Sequence, residues 1–138
     1  MKVVFDTNVL IAAFATQGLC HAVFELCIDQ HQIIISEHIV NEAKASIEKK
    51  LKVPVNIAKA FTQYLRENTT VVGDVTRLRH KVCRDPSDDW ILALAEHIGA
   101  DYLITGDQDL LILKTYANTA IIQPRQFWEI LRTTKRPG

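Results

Sequence analysis

The sequence predicts an α/β fold in which a parallel sheet is covered by helices on both faces. Short apolar runs rich in β-branched residues, such as Lys2–Phe5 and Gln32–Ser36, recur along the chain between polar residues. Longer stretches with apolar residues at helical spacing separate these runs. The runs are apolar throughout instead of alternating, which is typical of strands buried on both faces.

Five strands are predicted in chain order. They are Lys2–Phe5, Gln32–Ser36, and residues 69–72, 101–105 and 120–122. Each is a short apolar run flanked by polar or turn-forming residues. The parallel arrangement follows from the helical stretch that separates each strand from the next, because a parallel pair needs a crossover connection.

Helices are predicted between the strands. They lie around residues 9–13 and over residues 20–30, 37–52, 54–66, 85–98, 107–113 and 124–131. In the third helix, the apolar stripe is formed by Val40, Ala43, Ile47 and Leu51. Its lysine-rich end is interpreted as a solvated helix terminus that suits the helix dipole. Gly99 ends the helix over 85–98, and residues 74–84 are predicted to be a basic loop or helix end.

Length and charge set limits on the function. The chain has 138 residues, the length of one domain spanning 1–138. Its 16 Lys+Arg balance its 16 Asp+Glu, and 48% of the residues are hydrophobic, enough for a core without disulfides. Zero net charge excludes a protein that coats nucleic acid or anionic membrane by bulk charge. Binding to a polyanion would therefore need local charge separation or bound cations.

Cysteine spacing and hydropathy indicate the compartment. Cys20, Cys27 and Cys83 show neither disulfide nor zinc spacing, which is typical of a reducing cytosol. Asp6 interrupts the first apolar run too early for a signal peptide. The longest apolar run, residues 9–15, is far shorter than the roughly 20 residues of a membrane span. We expect a soluble, cytoplasmic protein without membrane association.

Acidic residues follow the predicted strands at the edge where parallel sheets place ligand sites. Asp6 directly follows the first strand, and Asp107 follows the fourth. Glu42 lies in the helix after the second strand, and Asp88 lies in the first turn of the helix before the fourth. Crowded carboxylates are unfavourable unless some are protonated or a cation lies among them. The pattern predicts a site for a hard cation, which prefers oxygen ligands.

Each acid also has a purely structural interpretation. Asp6 and Asp107 could cap the helices that follow them, and Asp88 could interact favourably with a helix dipole. Glu42 alone is typical of a solvated helix residue. Only the conjunction of the four favours a site.

Motifs of other functional classes are missing or incomplete. Glycine-rich phosphate loops and GxSxG do not occur. Asp6-Thr7-Asn8 lacks the second aspartate of haloacid-type phosphatases. A receiver domain would need an aspartate after the third strand, a possibility that Asp74 leaves open.

The chain resembles the PIN-domain family of ribonucleases, and within it the VapC-like toxins of bacterial toxin–antitoxin systems. The matching segments are VVFDTNVLIAA near the start, the helix running from Ser36 through Glu42, RDPSDDWILALAEHIGADYLITGDQDLL at 84–111, and IIQPRQFWEIL at 121–131. The resemblance implies a three-layer α/β/α sandwich with a five-stranded parallel sheet of Rossmann-type topology. It also implies an acidic pocket that binds Mg²⁺ or Mn²⁺ and cleaves RNA.

The resemblance implies four catalytic and metal-ligating acids, named here the acidic quartet. Its members are Asp6, Glu42, Asp88 and Asp107. Asn8 and Thr105 match the family's supporting polar positions. Asp88 is preferred to Asp89 because it lies seven residues before Ala95, the family's usual offset. Asp89 and Asp109 are the alternatives. The quartet would hold one or two ions that activate water for in-line attack on a phosphodiester, and none of the five histidines lies in a matching motif.

RNA binding requires positive charge near the acids. The predicted RNA-binding residues are Arg77, Arg79, Lys81 and Arg84. A solvated loop is the alternative interpretation of this segment.

The resemblance further implies a homodimer and a cognate antitoxin protein that covers the pocket. Phe14, Phe127 and Trp128 are candidate contact residues for such partners, unless they pack in the core. A non-toxin RNA-processing nuclease and a non-catalytic PIN-like regulator that binds RNA or protein are the alternative functions.

Overall fold

The structure is a computed structural model and describes residues 1–73 and 86–133. These residues contain six strands in one sheet. The strands are β1 (Lys2–Phe5), β2 (Gln32–Ser36), β3 (Thr70–Val72), β4 (Tyr102–Ile104), β5 (Thr115–Tyr116) and β6 (Thr119–Ile122). Their order across the sheet is β3-β2-β1-β4-β6-β5. All neighbouring strands are parallel except β5 and β6, which are antiparallel.

Helices connect the parallel strands. In the same described ranges they are α1 (Thr7–Ala15), α2 (Leu19–Gln30), α3 (Glu37–Lys50), α4 (Val55–Asn68), α5 (Pro86–Ile98), α6 (Gln108–Leu111) and α7 (Pro124–Thr133). Helix α3 ends at Lys50, slightly before the predicted end, so Leu51 is exposed instead of completing the apolar stripe. Lys52 has a left-handed φ of 52° that is incompatible with continuing the helix.

Both faces of the sheet are buried, and this confirms the predicted three-layer α/β/α class. Val3, Val4 and Phe5 of β1 are completely inaccessible to solvent. Successive residues of a strand point to opposite faces, so inaccessible neighbours require cover on both sides. In β2, Ile33 and Ile35 are buried on one face of the sheet, and Ile34 is buried on the other.

The predicted count of five strands was wrong by one. The additional strand, β5, forms a hairpin with β6 at the edge of the sheet, with Ala117 and Asn118 between them. Ala117 has a φ of 52°, a conformation that glycine or asparagine adopts more easily. The loop is Ala117-Asn118, so it lacks the Asn-Gly or Asp-Gly pair from which a hairpin is predicted.

The strand order reverses between β1 and β4. From β1 the chain adds β2 and β3 on one side, and it then crosses to add β4 and β6 on the other. Phe5 pairs with Ile104, so the two strands end at the same level. Ligands of open parallel sheets bind at such a reversal, outside the carboxyl ends of the strands.

Within the described ranges, no single helix is long and apolar enough to cross a membrane. Helices α1 and α2 together would satisfy the length and composition, but they meet at an angle of 101°.

Candidate active site

A cleft of about 330 Å³ opens at the carboxyl edge of the sheet, next to the strand reversal. All four members of the acidic quartet line it: Asp6, Glu42, Asp88 and Asp107. Asn8 also lines it, as the sequence led us to expect of a supporting residue. Four parts of the chain meet here, because the residue after β1, helix α3 after β2, the start of α5 and the loop after β4 all border this edge.

Asp6 is held by two hydrogen bonds. Its Oδ1 accepts from the backbone N–H of Thr7 at 2.7 Å, which caps α1, and its Oδ2 accepts from the Thr105 hydroxyl at 2.7 Å. Burial raises the pKa of Asp6 above its ordinary value, and these hydrogen bonds act against that rise. The negative charges of Glu42 and Asp107 raise the pKa further. Asp6 is thus both a helix cap and a carboxylate under repulsion from its neighbours.

Glu42 is tied to the same loop through Thr7. The Thr7 hydroxyl donates to Glu42 Oε1 at 2.5 Å, while the Thr7 backbone holds Asp6. Helix α3 brings Glu42 to this position because Ser36, the last residue of β2, caps the helix by accepting from the N–H of Ile39 at 3.2 Å. One buried threonine therefore fixes the separation of two quartet members.

Asp107 and Asp88 approach each other in the cleft. Oxygen atoms of Asp88, Asp107 and Asp109 lie within 4.8 Å of one another. Asp107 caps α6 by accepting from the N–H of Asp109 at 2.9 Å. Its own N–H donates to the Thr105 hydroxyl at 3.0 Å, and that hydroxyl is the one bonded to Asp6.

The donor set fits a divalent hard cation. It consists of carboxylate oxygens, which Mg²⁺ and Mn²⁺ prefer over softer ligands. The repulsion that raises the pKa of Asp6 is the condition that a bound cation relieves.

The two adjacent acids of α5 differ in their position relative to the cleft. Both Asp88 and Asp89 are buried, but the cleft is lined by Asp88 and not by Asp89. Thr105 is completely buried, and its hydroxyl donates a hydrogen bond to Asp6 of the quartet. Asp109 joins the acids as the third member of the close group.

Some predicted positions lie outside the described residues. These are the RNA-binding residues Arg77, Arg79, Lys81 and Arg84, together with Asp74 and Cys83. Among the candidate partner contacts, Phe127 is completely buried, and Phe14 and Trp128 pack partly buried against the core. Cys27 is buried and Cys20 half-buried, and both are free thiols.

Five residues of the site were not predicted from the sequence. They are Thr7, His38, Lys49, Lys50 and Trp90, and all line the cleft. Helix periodicity could have found the lysines, because they lie seven and eight residues after Glu42 and so share its face of α3. No local pattern signals Thr7 or the pairing of His38 with Trp90.

Comparison with known proteins supports the assignment of the fold. The family model of the PIN domain matches residues 2–109. The crystal structure of VapBC2 from Rickettsia felis, bound to a DNA fragment from their promoter, is similar with a TM-score of 0.70 and 16% identity, over 89% of this chain and 98% of that one.

VapC20 from Mycobacterium tuberculosis, a toxin that cleaves the sarcin–ricin loop, is similar with a TM-score of 0.61 and 14% identity, over 86% of this chain and 98% of that one. At these identities the likeness establishes a shared fold. No curated protein sequence matches the chain.

Proposed function

Because the chain belongs to the PIN-domain family, we propose that it is an endoribonuclease that depends on Mg²⁺ or Mn²⁺. The observation that carries the proposal is the convergence of the acidic quartet on one cleft beside the strand reversal. Cap positions alone would not bring acids from four separate parts of the chain into one cavity.

The quartet would hold the ion, and Asp109 lies close enough to contribute. A bound divalent ion supplies charge that lowers the pKa of water and neutralises phosphoryl oxygens. The protein's own contribution is positioning. Thr105 fixes Asp6 relative to Asp107, and Thr7 fixes Asp6 relative to Glu42, so the carboxylates are oriented before substrate binds.

A comparison of Asp88→Asn with Asp89→Asn tests the site. Both side chains are buried in the first turn of α5, and only that of Asp88 lines the cleft. We expect Mn²⁺-dependent cleavage of a single-stranded RNA by the wild type, loss of cleavage in EDTA, and a decrease of about 100-fold or more in Asp88→Asn. Asp89→Asn should retain activity. Calorimetric titration with Mn²⁺ should show weaker binding to Asp88→Asn alone.

The outcomes have separate meanings. Loss of activity in Asp89→Asn with full activity in Asp88→Asn would transfer the ligand role to Asp89. A wild-type protein that binds Mn²⁺ and RNA without cutting would favour the non-catalytic regulator.

We further propose that the enzyme is the toxin of a toxin–antitoxin pair, with a cognate antitoxin as its partner. The support is the fold that it shares with VapBC2 and with VapC20, a toxin that cleaves the sarcin–ricin loop. Expression should arrest growth, and co-expression of a small protein encoded next to it should relieve the arrest. Normal growth during expression of active enzyme would favour the RNA-processing alternative.

The remaining expectations stay proposals. They are a single PIN-like domain over residues 1–138, a cytoplasmic location and a homodimer. Light scattering of the purified protein measures the last of these directly.

A further inference from the structure

The cleft also holds an aromatic pair beside the quartet. There the rings of His38 and Trp90 stack with their centroids 5.0 Å apart and an interplanar angle of 17°. His38 lies near the start of α3, Trp90 lies in α5, and both line the cleft with the quartet. His38 Nε2 is 4.0 Å from Glu42 Oε2, so the stacked pair adjoins the acids.

Positive charge lies along the same wall. Lys49 and Lys50 are exposed and line the cleft at the end of α3. They follow Glu42 by two helical turns, which corresponds to about 11 Å along the helix axis. That distance separates them from the acids, so their ammonium groups could meet a phosphate other than the one at the quartet.

We propose that an unpaired RNA strand crosses the quartet in this cleft, with one base stacked on the His38–Trp90 pair and a phosphate on the other side of Glu42 at Lys49 and Lys50. The proposal rests on the proposed nuclease function and adds to it the positions at which a base and a phosphate of the substrate bind. Aromatic rings bind bases of any sequence, because every base has a π-face. A base inside a duplex is stacked on its neighbours and cannot offer that face.

The arrangement of charges favours RNA on this path. The quartet repels phosphate except where a cation compensates, whereas the lysine end attracts it. A strand running from the lysines to the stacked rings would cross the acids between them, with one phosphodiester at the quartet.

Fluorescence of Trp90 tests the stacking directly. Trp90 and Trp128 are the two tryptophans of the chain, so Trp128→Phe makes Trp90 the sole reporter. The probes are a single-stranded RNA octamer, its duplex, and an abasic oligomer of equal length, each mixed with protein and Mn²⁺ by stopped flow. We expect the single strand to quench Trp90 within about 10 ms, ahead of a typical turnover of about 10 per second. The duplex and the abasic oligomer should not quench.

Substitutions measure the contribution of each group. Trp90→Leu should weaken binding of the single strand about tenfold, in line with the loss of one base–aromatic stack, whereas Trp90→Phe should retain most of the affinity. Replacing Lys49 and Lys50 together by glutamine should decrease the slope of log K against log salt by about 1.4. The matched double variant Lys59→Gln/Lys114→Gln, at exposed positions away from the cleft, should not change the slope.

Cleavage measured in the same mixtures separates this proposal from the nuclease function. Cleavage without quenching of Trp90, or equal quenching by the abasic oligomer, overturns the stacking and leaves the nuclease intact. Quenching without cleavage supports the stacking and overturns the nuclease function. If RNA is neither cut nor bound, both proposals are wrong.

Discussion

Thr105 is the residue on which the geometry of the acids depends most, and its hydroxyl can be removed with little change in shape. Thr105→Val replaces a completely buried hydroxyl that donates to Asp6 Oδ2 at 2.7 Å and accepts from the N–H of Asp107 at 3.0 Å. Thr119→Val is the matched control. Thr119 is 2% exposed, and its hydroxyl donates to the backbone carbonyl of Ala100 at 2.7 Å, away from the cleft.

The two substitutions should differ because their acceptors differ. A hydrogen bond to a neutral group contributes about 1 kcal/mol to stability, and one to a charged group about 1.5–3 kcal/mol. We therefore expect Thr119→Val to decrease the free energy of unfolding by about 1 kcal/mol and Thr105→Val by about 2–3 kcal/mol at neutral pH. Thr105→Ser retains the hydroxyl, so its free energy of unfolding should decrease less than that of Thr105→Val.

The pH dependence distinguishes the lost hydrogen bond from a packing defect. The Thr105 hydrogen bond holds the pKa of Asp6 lower than burial alone would, so its removal raises that pKa. The bond favours the ionised form, and the cost of Thr105→Val should be largest where Asp6 is ionised and decrease as the pH falls through its pKa. The cost of Thr119→Val should not depend on pH, because a carbonyl does not titrate.

Urea denaturation of the metal-free proteins over a range of pH measures both costs. In addition, Thr105→Val should weaken Mn²⁺ binding by about 10–100-fold, the usual effect of losing a group that orients a ligand. Equal, pH-independent costs for the two valine variants, with unchanged Mn²⁺ affinity, would refute the role assigned to Thr105.

Three further predictions concern other parts of the molecule. Burial raises the pKa of Asp6 above its ordinary value, so the wild-type fold loses stability as the pH rises through that raised pKa and Asp6 ionises. In EDTA, thermal unfolding should therefore show Asp6→Asn gaining stability relative to wild type as the pH rises above about 4. Reversing Arg79 and Lys81 to Glu should weaken RNA binding and flatten its salt dependence in anisotropy titrations, and unchanged slopes would contradict the predicted basic segment. Phe127→Ala should destabilise the fold by about 3–5 kcal/mol in urea, because this ring is completely buried beside Tyr102; a smaller loss would argue for a surface role.

The sequence predicts the parts of the fold that depend on local pattern. The run Val3–Val4–Phe5 followed by Asp6 is recognisable as a buried strand with an acid at its end, and parallel topology then places Asp6 and Asp107 at one edge. The hairpin of β5 and β6 escapes because Ala117 stands where a turn residue is usual. Its conformation is imposed by the neighbouring strand pairing instead of local preference.

Side-chain pairings within the site are the part that sequence patterns cannot predict. The hydrogen bond from Thr7 to Glu42 joins α1 to α3, and the stack of His38 on Trp90 joins α3 to α5. Each depends on how helices pack over the sheet, which periodicity does not specify. The family resemblance supplies positions for the acids and for Thr105, but it supplies none for Thr7, which holds Asp6 and Glu42.

The zero net charge of the chain conceals a local imbalance at the cleft. Four carboxylates of the quartet face two ammonium groups, those of Lys49 and Lys50, and this leaves two negative charges along the path proposed for RNA. One divalent ion would neutralise the cleft and a second would make it positive, so affinity for a polyanion has to rise with metal occupancy. Cleavage and RNA binding should therefore respond together to metal, because the same ion that activates water also removes the barrier to the phosphate.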